Sequence, residues 1–295
     1  MPMIGDRPEL NLKAVVYATD FSLCSQNAGL YAARFASYFS ATLLVTHAFT
    51  LSQAALEVEG DQTCVSQQRK DLKSLLSRET ALLATDSVEA AAMLLEGDPQ
   101  EVIPALADRN GPAMIVLGTH GGGRIVRGII GSIAEKILRC SQWPTLTVGP
   151  HVTPVSSKTF PFARILFATD FTVAAANAEM FAVTFAKVFG ARIDVLNVIT
   201  DDSFESPDRL LDLKNRFFSA LDGLIPEQAK DFCDPSTYLA VGSAHDQILE
   251  HIRERSIDLL VLGIRKTSHL SMEMRTSGAF RIIVDAACPV LTIRS

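Results

Sequence analysis

The chain has 295 residues, 48% of them apolar, which is enough material for two ordinary domains that each bury a core. Lys and Arg number 27 against 33 Asp and Glu, a net charge of -6, and that balance argues against a nucleic-acid partner, which would require a basic face. The N-terminal stretch MPMIGDRPELN has no apolar core of a signal peptide, no apolar run reaches the ~18 residues of a membrane span, and the five cysteines form no C-x-x-C pair, so a cytoplasmic protein with reduced thiols and no membrane contact is expected.

Along the chain, short apolar runs alternate with helical periods. Strands are expected near residues 13–18, 42–49, 89–95, 113–118 and 144–149, and helices near 25–39, 66–84, 99–109 and 131–141. AVVYA and MIVLG are continuous apolar runs, as strands buried on both faces should be. Alternating strand and helix implies an α/β fold with a parallel, doubly wound sheet.

The pattern is then written a second time. AVVYATDFS (14–22) matches RILFATDFT (164–172), which pairs Asp20 with Asp170, and LLVTHAFT (43–50) matches IDVLNVIT (193–200) in the same frame. AMIVLG (113–118) matches DLLVLG (258–263), and WPTLTVG (143–149) matches CPVLTIR (288–294). The offset falls from 150 to 145 between these pairs, so the second copy is shorter after its second strand. HVTPVSSKTFP (151–161), with its Pro and Ser, reads as a linker between domains at 1–150 and 162–295.

Ligands of such sheets sit beyond the carboxyl ends of the strands, where strand order reverses. Thr19 and Asp20 follow the first strand, and Gly118 ends the fourth. From Gly118 the spacing is G-x2-G-x9-G-S, through Gly121, Gly131 and Ser132. Glycines let an anion approach the backbone, successive N–H groups form an anion nest, and the helix expected after Gly131 offers free N–H groups. Arg124 and Arg127 can add positive charge or remain solvated. Ser132 also opens a capping-box pattern with Glu135, Asp20 can cap the helix or turn that follows it, and His120 between glycines can be a solvated loop residue. The second copy keeps Gly263 but has Lys266, Thr276 and Ser277 at the other motif positions, so nucleotide binding is expected to be weak or absent there. HDQILEH (245–251) is not a zinc-binding H-E-x-x-H, and no nucleophile–base grouping has sequence support.

YATDFS, GDPQEVI, IVLGTHG and GSIAEKILR before WPTLTV, with FATDFT, GSAHDQI, LLVLGIRK and CPVLTI in the second copy, resemble the universal stress protein family of the UspA type. The resemblance covers both copies and implies two tandem Rossmann-like domains of five parallel strands each. Family dimers pair through their last strands, so an intramolecular pseudo-dimer is implied, with a homodimer also open. The ATP-binding branch of the family uses the loop that the first copy carries. The resemblance therefore implies phosphates at Gly118, Gly121, Gly131 and Ser132, with Ile133 beside them, Thr119 and His120 lining the loop, and Arg124 near it. It places Ala18, Thr19 and Asp20 against the adenosine and Ala48 against the adenine, with Mg²⁺ as a bridge between phosphates. The function implied is that of an ATP-binding regulator of the stress response acting on a protein partner, with at most slow ATP hydrolysis. The alternatives are a scaffold without nucleotide, a slow ATP hydrolase, and an adenine-binding enzyme of an adenylating or pyrophosphate-releasing kind, although no second substrate pocket is readable.

Overall fold

The computed structural model describes residues 11–50, 62–121, 129–156, 160–199, 215–220, 229, 232–265 and 278–294. The first half runs β1 (Ala14–Ala18), α1 (Leu23–Phe39), β2 (Thr42–Phe49), α2 (Gln62–Leu83), β3 (Ala90–Glu96), α3 (Pro99–Asn110), β4 (Ala113–Gly118), α4 (Ser132–Cys140) and β5 (Thr145–Val148). The second runs β6 (Arg164–Ala168), α5 (Val173–Phe189), β7 (Arg192–Ile199), β8 (Ser236–Val241), α6 (Ala244–Arg255), β9 (Leu259–Ile264), α7 (Gly278–Asp285) and β10 (Val290–Arg294).

Local chemistry sets the helix ends at equivalent places in both halves. Ser22 and Thr172 cap α1 and α5, each accepting a hydrogen bond from a first-turn N–H. Asp98 and Ser243 cap α3 and α6 in the same way. Before them stand Gly97 (φ 138°) and Gly242 (φ 127°), in a backbone region open almost only to glycine.

All strands join one sheet in the order β3-β2-β1-β4-β5-β10-β9-β6-β7-β8. Each half is five parallel strands, and the halves meet where β5 pairs antiparallel with β10 through Thr147↔Val290, Leu146↔Leu291 and Thr145↔Thr292. Two threonine hydroxyls add to this seam: Thr147 Oγ1 donates to Val290 O and Thr292 Oγ1 to Thr145 O, each at 3.1 Å. The last strands thus cover each other's edges, as the pseudo-dimer expectation requires.

Alternating strand residues feed two apolar clusters, and each cluster spans both halves. Val15 and Tyr17 face α1, α2 and α5, while Ala14 and Val16 face α3 and α4, in a cluster that continues to α6 and α7. Between α1 and α5, Phe35 contacts the rings of Phe39, Phe160, Phe162, Phe185 and Phe189 at centroid distances of 5.2–6.1 Å. Phe160 belongs to the expected linker. The described part of that segment is pinned rather than loose: Val152 is buried, Asn27 Nδ2 donates to Val152 O (3.0 Å), and Tyr31 Oη donates to Thr153 O (3.0 Å).

The helices after β1 and β6 pass close over β4 and β9. A Cβ on Gly118 would lie 2.9 Å from Ser25 N and 3.0 Å from Cys24 C, and one on Gly263 would overlap the Ala174–Ala175 peptide. These two glycines are equivalent by position, so the fold requires them in both copies. Gly118→Ala and Gly263→Ala are each expected to cost about 1–3 kcal/mol, as core overpacking does, measured by urea denaturation; a neutral Gly263→Ala would contradict this. Phe35→Ala should cost about 3–5 kcal/mol in the same measurement, because it opens a cavity inside the aromatic cluster that joins the halves.

Candidate functional site

Strand order reverses between β1 and β4, whose carboxyl ends part to leave a cleft of about 210 Å³. Eleven of the residues singled out in the sequence line it: Ala18, Thr19, Asp20, Ala48, Gly118, Thr119, His120, Gly121, Gly131, Ser132 and Ile133. Arg124 and Arg127 lie outside the described residues.

The turn after β1 forms one wall. Thr19 Oγ1 accepts from Phe21 N (2.9 Å), and Asp20 Oδ1 accepts from Ser22 N (3.1 Å). These bonds hold Phe21 at φ 64°, a conformation that a bulky side chain rarely adopts. Asp20 therefore does not cap α1, a role that falls to Ser22. A Cβ on Gly121 would run into Asp20 Oδ2, so the glycine lets the loop pass the carboxylate.

The floor comes from the segment after β4. Thr119 N donates to Val148 O (3.1 Å), and Thr119 O accepts from Gly131 N (2.8 Å). A Cβ on Gly131 would stand 3.0 Å from that same oxygen, so a side chain here would push the loop back by a few tenths of an ångström. Gly131, with φ -60° and ψ 142°, is the N-cap of α4, and it places Ser132 at the first helical position. The capping box is therefore not formed: among the described residues no side chain caps α4, and Glu135 pairs with Arg139 (2.7 Å). The first-turn N–H groups of α4 thus have no side-chain cap among the described residues, and the positive end of its dipole faces the cleft.

His120 is buried, not a solvated loop residue. Its Nδ1 lies 2.9 Å from Thr119 Oγ1, and its Nε2 has no hydrogen-bond partner among the described residues. Such an orphan in the cleft wall is what a missing ligand atom or water would satisfy.

Sequence reading missed Ser25, His47, Pro99 and Ile103, which also line the cleft. His47 had a signal in the repeat. His47 Nδ1 lies 2.7 Å from Thr19 O, and Asn197 Nδ2, at the equivalent position, donates to Thr169 O at 2.8 Å. A carbonyl only accepts, so Nδ1 of His47 carries a proton and donates to it. Ser25, Pro99 and Ile103 are brought in by helix packing, and no spacing announces them.

The second half keeps a cleft of about 180 Å³ and the same turn, with Phe171 at φ 59°. Arg265 stands where His120 stands in the first half, and its Nη2 lies 3.0 Å from Asp170 Oδ2. Burial pushes the Asp170 carboxyl up, but hydrogen bonds from Thr172 and Arg265 outweigh it and hold the group below the usual carboxylate range. Lys266, Thr276 and Ser277 lie outside the described residues. Among the described cysteines Cys233 and Cys288 are buried, and burial pushes the Cys288 thiol up to about 12. No described helix is long and apolar enough to cross a membrane.

Comparison with known proteins agrees with this architecture. A universal stress protein of Methanocaldococcus jannaschii is 28% identical over 138 residues, covering 46% of this chain and 81% of the relative. The universal stress protein YxiE of Bacillus subtilis is 27% identical, over 45% of this chain and 99% of its own length. A solved universal stress protein from Archaeoglobus fulgidus shares the fold across 95% of this chain and 98% of its own, with a TM-score of 0.70 at 19% identity. The model of the universal stress protein family matches residues 11–149 and again 161–294, so the chain belongs to that family as a tandem of two such domains.

Proposed function

We propose that the chain is an ATP-binding regulator of the stress response with one nucleotide site, in its first half. The observation that carries this reading is the cleft at the β1–β4 switch point. Its floor combines close-packed glycines with the N-terminus of α4, which no described side chain caps. In this reading Gly121, Gly131 and Ser132 meet the phosphates, Gly118 gives them room beside α1, and Ile133 borders them. Arg124 supplies charge, and the orphaned His120 Nε2 meets a phosphate or a water held by one. The apolar end of the cleft, with Ala18 and Ala48 and with Ile103 across from them, takes the adenosine beside Thr19 and Asp20. A Mg²⁺ bridging the phosphates would find a carboxylate in Asp20 and would supply charge neutralisation.

The second half serves as the pseudo-dimer partner, with its Asp170 neutralised by Arg265 in place of a ligand. We divide the chain at 151–161 and place the protein in the cytoplasm. Nucleotide occupancy would set the surface offered to a protein partner, with turnover slow at most. A nucleotide-free scaffold is the competing reading, and the second half supports it in one respect, since it keeps the fold with a degenerate loop.

Isothermal titration of purified protein tests the proposal. Wild type should bind ATP at one site per chain. ATP at about a hundred times its Kd should add about 2.7 kcal/mol of stability. Gly121→Lys and Gly131→Thr copy the second half and should remove binding while leaving the unliganded fold intact. Unchanged affinity in both variants would sink the first-half site, and a wild type that binds no nucleotide would favour the scaffold.

A further inference from the structure

Behind the cleft wall lies a buried carboxylate that the site as described does not use. Glu79 projects from α2 and is buried. Its oxygens are met by hydroxyls, not by a cation, among the described residues: Tyr17 Oη at 2.5 Å, and Thr19 Oγ1 at 3.1 Å from each. Tyr17 Oη also lies 2.6 Å from Ser25 O, and Thr19 Oγ1 lies 3.2 Å from Ser25 Oγ. Thr19 and Ser25 both line the cleft. Four side chains thus tie α2 to the end of β1 and to the first turn of α1.

A carboxylate removed from water without a cation is costly, and apolar replacement of such a group is often stabilising. The fold does not need the full set of hydroxyls that meets this one. In the second half Phe167 replaces Tyr17 and Ala175 replaces Ser25, so of the three hydroxyl residues only Thr169 remains. Yet the turn there is the same: Phe171 N donates to Thr169 Oγ1 (3.1 Å), Thr172 N donates to Asp170 Oδ1 (3.1 Å), and Phe171 keeps its positive φ. The full set occurs in the half whose glycine loop is complete and is missing from the half whose loop is degenerate. A feature that the shared fold can omit, kept at a cost beside one of two clefts, belongs to that cleft's work.

We infer that Glu79 is a positioning residue of the first-half cleft: through Tyr17 and Thr19 it fixes the strand-one turn and the first turn of α1 in the form that receives the nucleotide. It touches no ligand itself. Its contribution is restraint, which lowers the ordering that binding would otherwise require. This inference rests on the ATP reading above.

The test is a triple variant: Tyr17→Phe and Ser25→Ala, which copy Phe167 and Ala175 of the second half, with Glu79→Leu, which removes the carboxylate they would otherwise leave unmet. Its unliganded melting temperature should equal or exceed that of wild type, while its ATP affinity by titration falls about tenfold or more. Glu79→Gln, which keeps hydrogen-bonding atoms at the same reach, should stay within about threefold of wild type. A triple variant that binds ATP as wild type does would overturn the inference and leave the ATP site standing. A triple variant that does not fold would also overturn it, because the network would then be structural. Wild type that binds no ATP would overturn the inference and the ATP reading together.

Discussion

The antiparallel pairing of β5 with β10 is the constraint on which the rest of the molecule depends. Within each half every strand runs parallel to its neighbours, so each half alone would end in an open edge at its last strand. The pairing closes both edges at once. Thr147 and Thr292 stand at equivalent places and each donate a hydroxyl across the seam, so the contact has the reciprocity of a two-fold dimer within one chain. Helices α1 and α5 then meet over the seam and bury the aromatic cluster around Phe35, into which the described end of the linker sends Phe160. A further consequence is geometric. Because β5 and β10 run in opposite directions, the carboxyl ends of the two sets of strands lie at opposite edges of the sheet. The two clefts cannot share a ligand, and each has been free to change without the other.

The duplication makes each half a control for the other. What both copies keep is what the fold needs: the capped helices, the glycines before α3 and α6, the positive φ at Phe21 and Phe171, and Gly118 with Gly263 under α1 and α5. What only the first copy keeps is a narrower set, made of Gly121, Gly131, His120 and the hydroxyls of Tyr17 and Ser25 beside Glu79. The glycine motif therefore splits into two physical jobs. Its first glycine serves packing and is shared. Its later glycines serve the approach of the loop to Asp20 and of α4 to Thr119, and they are not shared.

Much of this was legible in the sequence because it is carried by local periodicity and by repetition. The strand expected at 113–118 is β4 over the same residues, and the helix expected at 131–141 is α4 within one residue at each end. The repeat fixed which residues correspond and marked the loop in one copy. Roles were less legible than positions. A glycine forced by a passing helix and a glycine left open for an anion look alike in a sequence, so Gly118 could not be separated from Gly121. Ser132 and Glu135 have the spacing of a capping box, but the extended Gly131 takes the cap position, and a one-residue shift cancels the pattern. Glu79 was invisible for a different reason: its partners lie 60 and 62 residues away, and nothing local marks a carboxylate that tertiary packing will bury.

The halves also differ in how much unfavourable burial they carry. The first holds a carboxylate among hydroxyls, a tyrosine whose ionisation burial strongly opposes, and a histidine nitrogen without a partner among the described residues. Where the first has Tyr17, Ser25 and His120, the second has Phe167, Ala175 and Arg265, which reaches out to Asp170. Each of those changes replaces a group that needs a partner with one that does not, or with one that brings its own. Stability alone would favour the second set in both halves, since the fold accommodates it. The polar set persists only around the cleft with the complete loop, and there the burial of groups that resist burial marks where the chain gives up stability to keep a binding surface in place.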